Sequence, residues 1–146
     1  MHPNEAVVRR WFEELWNQKR IETIDELYTD DTVAHGMTDG GMPVRGRDAF
    51  RQIFLFFTGA FPDMQIGIDR VLVEGEYVAT HFTVRATHAG DHLGFPATGR
   101  SVKFSGMTMA RIHNGQFIEG WNTIDMLSML QQVGVAPPLT EFKPLP

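Results

Sequence analysis

The chain has 146 residues, the size of one ordinary domain. Hydrophobic residues make up 42% of the sequence and charged residues 21%, a composition that excludes an intrinsically disordered chain. The formal net charge is -5 and the basic residues are scattered, which argues against a nucleic-acid partner. The absence of cysteine excludes disulfides, thiolate metal sites and a cysteine nucleophile.

The sequence also predicts the cellular location and the domain organisation of the protein. No apolar run approaches the roughly 20 residues that a membrane-spanning helix needs, and the first residues lack the pattern of a signal peptide. We therefore expect a cytoplasmic protein with no membrane partner. We expect a single domain over residues 1–146, in which residues 135–146 form a proline-rich tail.

Helical spacing of apolar residues dominates the first part of the chain. It predicts one helix over about residues 4–18, capped by Asn4, and two further turns over residues 21–28. A short strand is expected at residues 32–35. The glycine-rich stretch 36–46 is expected to be a loop that acts as a pocket lid. Phe50, Ile53, Phe54 and Phe57 predict a third helix that ends near residues 59–62.

The period changes from helix to strand after Met64. Runs rich in β-branched and aromatic residues predict strands at residues 65–74, 77–89, 102–113 and 116–124. Asn114-Gly115 between two of them is a strong hairpin signal, so the strands should form an antiparallel meander. A last helix is predicted over residues 126–133. The fold class is therefore α+β: N-terminal helices packed on a strongly curved, mainly antiparallel sheet that encloses a pocket.

Asp125 is the main candidate for catalysis. Alternate residues of a strand share a face, so Trp121, Thr123 and Asp125 are predicted to point the same way, toward the covered side if Trp121 does. A carboxylate in an apolar cavity has its pKa raised toward neutrality, which suits a base that removes a carbon-bound proton. The alternative is that Asp125 caps the last helix.

Two histidines and an arginine are further candidates. His81 and Arg85 share one face of their strand, where His81 would donate to a substrate carbonyl and Arg85 would stabilise an enolate. That face is equally well explained as a solvated or dimer-facing surface. His35 precedes the glycine loop and would assist at the rim of the pocket, although a structural histidine fits the same position.

The substrate is expected to meet an adaptable apolar lining, although core packing explains the same residues. The side chains assigned to it are Trp16, Phe54, Met107, Met109, Trp121 and Thr123, together with Arg85. No cofactor is expected. His88 and His92 lie in a glycine-containing loop without a third ligand, so no metal site is predicted.

Several segments resemble the SnoaL-like polyketide cyclases. The matching segments are 87–90 (THAG), 93–100 (LGFPATGR), 104–106 (FSG), 114–121 (NGQFIEGW), Asp125 and 130–134 (LQQVG). The resemblance implies a nuclear-transport-factor-2-like cone, usually oligomeric, that closes polyketide rings by a cofactor-free aldol reaction. It also implies that Asp125 is the acid/base. The family's polar glutamine and histidine are matched by Met107 and Met109, which cannot donate a proton.

The leading hypothesis is therefore an aldol-type cyclase of a small hydrophobic or aromatic polyketide-like substrate, acting as a homodimer or higher homo-oligomer. In it Asp125 removes a proton, and His81, with help from His35 or Arg85, hydrogen-bonds the oxygen that becomes negative. One alternative uses the same aspartate for epoxide opening or water elimination. Another is a non-catalytic dimer that binds a small molecule.

Overall fold

The computed structural model describes all 146 residues. Six strands form one curved sheet in the order β2-β1-β6-β5-β4-β3; β1 runs parallel to β6 and all other neighbours are antiparallel. The elements are α1 (Pro3–Arg10), which continues as a π-helical segment (Trp11–Asn17), α2 (Glu22–Leu27), β1 (Tyr28–His35), β2 (Val44–Arg45), α3 (Arg47–Ala60), β3 (Gln65–Glu74), β4 (Tyr77–Thr87), β5 (Ser101–His113), β6 (Gln116–Ile124) and α4 (Met126–Gln132).

The α+β architecture and the antiparallel meander are confirmed. Asn114 and Gly115 both have positive φ, the conformation that a tight two-residue hairpin turn requires. Three local predictions are wrong. The stretch 36–46 is not all loop, because β2 (Val44–Arg45) lies within it and pairs with β1. β1 begins at Tyr28 rather than Thr32, and α1 is capped by His2, whose Nδ1 accepts from the Asn4 backbone N–H, with Pro3 as the first helical residue.

One face of the sheet is buried by the helices, and we call it the covered face. On β4 it carries Val78, Thr80, Phe82 and Val84, which are all buried. The aromatic rings of Trp11 and Tyr28 stack at 4.7 Å between centroids and fill the space near β1 and β6. The opposite side is the outer face. None of the helices has the length and apolar character needed to cross a bilayer.

A β-bulge in β6 decides which of its side chains reach the covered face. Ile112 pairs with Phe117, but Arg111 pairs with Glu119, so β6 contains one extra residue at this point. Because side chains alternate along a strand, the extra residue reverses the faces of everything after it. Phe117 lies on the covered face before the bulge, and Asn122 and Ile124 lie on it afterwards.

Candidate functional site

A cavity lies between the helices and the covered face. Its helical wall consists of Trp11, Phe12 and Trp16 from the first helical stretch and Phe50 and Phe57 from α3. Met37, from the loop after β1, closes one side. The strands supply aliphatic and aromatic side chains, namely Ile66, Phe82, Val84, Phe104 and Ile124. The cavity volume is about 60 Å³. Since ligand pockets usually span about 300–1,000 Å³, a drug-sized ligand must widen it.

Thr108 and Asn122 are the two polar side chains that line this cavity. No Asp, Glu, His, Lys or Arg side chain lines it. Its interior is therefore uncharged and suited to a flat, mostly apolar molecule. A hydrogen bond in such an apolar environment is electrostatically stronger than the same bond in water.

Asn122 is held in one orientation. Its Nδ2 donates to the backbone carbonyl of His35 over 2.9 Å. Only the nitrogen of an amide can donate, so the contact fixes which end of the side chain faces the carbonyl and leaves Oδ1 as an acceptor. The chain turns sharply at Gly36, where φ is +79° and a Cβ would lie 1.9 Å from the Asn122 carbonyl oxygen. Glycine is required for this close approach.

A row of polar side chains crosses three strands at this place, and we call it the polar row. Thr80 of β4 is the register partner of Thr108 of β5, which is in turn the partner of Asn122 of β6. Thr80 is 1% exposed and its hydroxyl has no hydrogen-bond partner. Thr80 itself is not part of the cavity lining, but its partner Thr108 is. Buried polar groups are nearly always bonded, so an unpartnered hydroxyl next to Thr108 needs a reason.

Asp125 does not face the cavity. It is exposed, and its Oδ1 accepts from the Ser128 backbone N–H at 3.0 Å as the N-cap of α4. The prediction that Trp121, Thr123 and Asp125 share a face is correct, but that face is the outer one because of the β6 bulge. The catalytic assignment of Asp125 thus loses the placement on which it rested.

His81 and Arg85 lie on the outer face of β4. His81 Nδ1 is 3.2 Å from Asp69 Oδ2, and Arg85 is exposed. The helices pack on the apolar face of β4. The polar face, which carries His81 and Arg85, is therefore the outer one. Neither side chain belongs to the cavity lining, so neither is placed to stabilise an enolate there.

The side chain of His35 also points to the outer face. Its Nε2 lies 2.6 Å from Glu119 Oε2, and its ring stacks on Trp121 at 5.7 Å. His35 reaches the cavity only through its backbone carbonyl, which holds Asn122. The prediction that the imidazole rims the pocket is wrong, and the side chain instead anchors the end of β1 against β6.

Of the seven predicted substrate-binding residues, Trp16 alone lines the cavity. Phe54 is buried directly behind it, with the two rings 5.4 Å apart. The remaining five residues lie on the outer face, and their assignment to the lining is wrong: Arg85, Met107, Met109, Trp121 and Thr123. Met107 and Met109 are 56% and 42% exposed there.

Sequence reasoning missed Thr108 and Asn122. On β5 the apolar residues Val102, Phe104 and Ile112 alternate on one face, and Thr108 is the polar exception in that series. This signal is visible in the sequence. No such signal exists for Asn122, because its face depends on the bulge.

Comparison with known proteins agrees with this architecture. The family described as SnoaL-like polyketide cyclase matches residues 6–133 of the chain. The chain belongs to this family. A curated member, aklanonic acid methyl ester cyclase DauD of Streptomyces sp. (strain C5), is 25% identical over all of this chain and 91% of DauD.

Two solved structures show the same nuclear-transport-factor-2-like cone as this SnoaL-like domain. IdmH of Streptomyces antibioticus, provisionally described as a polyketide cyclase, is 30% identical with a TM-score of 0.79, covering 92% of this chain and 100% of IdmH. AclR of Streptomyces galilaeus, provisionally described as a hydroxylase, is 25% identical with a TM-score of 0.78, covering 92% of this chain and 97% of AclR. The fold therefore carries relatives described with different activities.

Proposed function

We propose that this SnoaL-like domain binds a polyketide-like molecule in the cavity and promotes its intramolecular aldol ring closure without a cofactor. The observation that carries the proposal is the cavity itself, an uncharged apolar space in which Asn122 and Thr108 are the only polar side chains. The membership of the chain in the cyclase family supports ring closure as the reaction.

The chemistry requires no ionised side chain in the cavity. In the enol form of a substrate with neighbouring carbonyls, the nucleophilic carbon attacks a second carbonyl carbon and a carbon–carbon bond forms. The enol proton moves to the oxygen of the attacked carbonyl, so the product is an isomer of the substrate. The cavity walls fold the chain into the reactive conformer, and the Thr108 hydroxyl donates to the oxygen that gains negative charge.

This mechanism replaces the aspartate acid/base of the leading hypothesis. Asp125 lies at the start of α4 on the outer side of β6, bonded to the Ser128 amide. Epoxide opening or dehydration needs a charged group to activate water or protonate a leaving oxygen, and the cavity lining has none. A non-catalytic binding domain would use the same cavity, and turnover distinguishes the two.

The test uses aklanonic acid methyl ester, the compound in the name of DauD, with this protein at micromolar concentration. Ring closure is expected to yield a product of unchanged mass and altered absorption spectrum. Thr108→Val should lower turnover about fivefold to tenfold, because it removes the hydroxyl that donates to the oxygen gaining negative charge. Thr123→Val, on the outer face, serves as the control. If the compound binds but is not isomerised, the protein is a non-catalytic binding domain.

The outer face is proposed to pair with a second copy of the chain in the cytoplasm. Leu72, Tyr77, Met107 and Met109 are each between 42% and 61% exposed there. Grouped apolar side chains of this size usually mark an interface, and a two-fold pair would bury the same patch on both copies. Sedimentation of the wild type and of Met109→Glu tests this, because a charge in the patch should yield a monomer.

A further inference from the structure

We infer that the polar row, Thr80, Thr108 and Asn122, determines specificity by recognising oxygen atoms spaced along one edge of an otherwise apolar ligand. The inference rests on the proposed function and adds to it the pattern of oxygen substituents that the cavity selects.

The spacing of the row follows from the sheet. Thr80, Thr108 and Asn122 are successive register partners on β4, β5 and β6. Adjacent strands lie about 4.8 Å apart, so three polar groups follow one another at that interval across the covered face. Oxygens on alternate carbons of an aromatic ring stand at nearly the same separation. Oxygens on adjacent carbons are much closer together, so they match the spacing of the row less well and bond two of its members with poorer geometry.

The chemistry of the row also points to a neutral ligand. The two threonine hydroxyls both donate and accept, and Asn122 offers Oδ1 as an acceptor because its Nδ2 is bonded to the His35 carbonyl. No charged side chain lines the cavity. Such a row pairs with ketone and hydroxyl groups, whereas a carboxylate or phosphate would be desolvated without a counter-charge.

Thr80 gives an independent reason to assign a function to the row. Its hydroxyl is buried and unpartnered, and a buried donor without an acceptor destabilises the folded protein. Valine has the same shape and would avoid that cost. A threonine at this position is explained if a ligand oxygen, entering beside Thr108 when the cavity widens, supplies the missing partner.

The experiment measures the affinity of three probes by quenching of tryptophan fluorescence, since Trp11 and Trp16 line the cavity. The probes are naphthalene, naphthalene-1,3-diol with oxygens on alternate carbons, and naphthalene-2,3-diol with oxygens on adjacent carbons. The wild type should bind the 1,3-diol about tenfold more tightly than the 2,3-diol, the gain from one additional well-aligned hydrogen bond.

The matched variants are Thr80→Val, Thr108→Val and, as a control, Thr123→Val on the outer face. The first two should each weaken binding of the 1,3-diol about fivefold to tenfold and leave naphthalene unaffected. Thr123→Val should leave the affinity for both the 1,3-diol and naphthalene unchanged. Thr80→Val should also raise the Tm, because it removes an unsatisfied buried hydroxyl. A merely structural role for Thr80 would not combine a higher Tm with weaker diol binding.

The outcomes separate the two proposals. Equal affinity for the two diols, or unchanged diol binding in both threonine variants, overturns the polar row as a specificity determinant while the apolar cavity remains the binding site. If none of the probes binds, the proposed function fails, and the inference that rests on it fails as well. Circular dichroism establishes that each variant is folded.

Discussion

Asn122 and His35 are joined by a hydrogen bond of 2.9 Å from the side-chain amide of one to the backbone carbonyl of the other. The bond links the polar end of the cavity to the last residue of β1, just before the loop that carries Met37. On the outer face the His35 ring contacts Glu119 and Trp121. The orientation of Asn122 therefore depends on how firmly β1 is attached to β6.

Replacing Asn122 by aspartate removes the donor to the His35 carbonyl. An ionised carboxylate at this position would face a carbonyl oxygen in a largely apolar space, which favours its protonated form and raises its pKa. The protonated aspartate restores the donor to the His35 carbonyl. The free energy of unfolding relative to wild type is therefore retained at low pH and is lost as pH rises through the raised pKa of the aspartate. Urea unfolding of both proteins across the acid-to-neutral range measures this difference.

The position of Asp125 predicts separate effects on stability and function. Asp125→Ala should lower the free energy of unfolding by about 1 kcal/mol through loss of the α4 cap, whereas Asp125→Asn keeps a capping oxygen and should be nearly neutral. Both variants should retain ligand binding and turnover. Loss of turnover in a stably folded Asp125→Asn protein would restore the aspartate acid/base hypothesis.

Gly36 and Gly40 form a matched pair for testing the close approach at the cavity. Both have positive φ, +79° and +71°, so alanine at either position is strained by about 1–2 kcal/mol. At Gly36 the Cβ would also lie 1.9 Å from the Asn122 carbonyl oxygen, whereas at Gly40 nothing lies within 4 Å. Gly36→Ala should therefore destabilise the protein more and weaken naphthalene-1,3-diol binding. Similar behaviour of the two variants in unfolding and binding would contradict this account.

A charged cluster on the helical side predicts acid sensitivity. The hydrogen bond from Arg20, at 2.6 Å, and a second from Arg10 lower the pKa of Glu26 from 4.5 to about 2. A carboxyl with a depressed pKa contributes stability that is present above its unfolded pKa and lost as pH falls toward the folded value. Glu26→Gln should flatten the fall of Tm between pH 4.5 and about 2.

Glu22→Gln, on the same helix, is the control for that measurement. It should leave the steepness of the Tm decline as in wild type. The effect of Glu26→Gln should also shrink in high salt, because the cluster is exposed and surface ion pairs are screened. A decline of Tm that is equally steep with and without Glu26 would show that other carboxylates control acid unfolding.

The sequence predicts strands and helices correctly wherever residue spacing or turn residues alone determine them. The limits of β3 and β6 coincide with the predicted strands, and Asn114-Gly115 forms the predicted turn. Helical spacing predicts apolar faces that contain Trp16 and Phe50, and both side chains contribute to the cavity wall. The spacing of Leu27 and Tyr28 predicts that Tyr28 belongs to a helix, but pairing with Phe117 places it in β1.

The choice of face in β6 could not be read in the same way. Continuing the hairpin from its turn without a break puts Trp121, Thr123 and Asp125 on the covered side, as predicted. The extra residue between Phe117 and Glu119 reverses this. Nothing in the local sequence marks the bulge, which lies where the register between β1 and β6 also shifts.

The sequence by itself determined the α+β class and the order of helices and strands along the chain, because alternation, helical spacing and turn residues act locally. Only the tertiary structure decided that an apolar cavity lies between the helices and the sheet and which polar groups enter it. One inserted residue in β6 turns Asp125 outward to cap α4 and turns Asn122 inward beside Thr108. A strand's two faces are equivalent until its neighbours set the register, so this difference arises from long-range pairing.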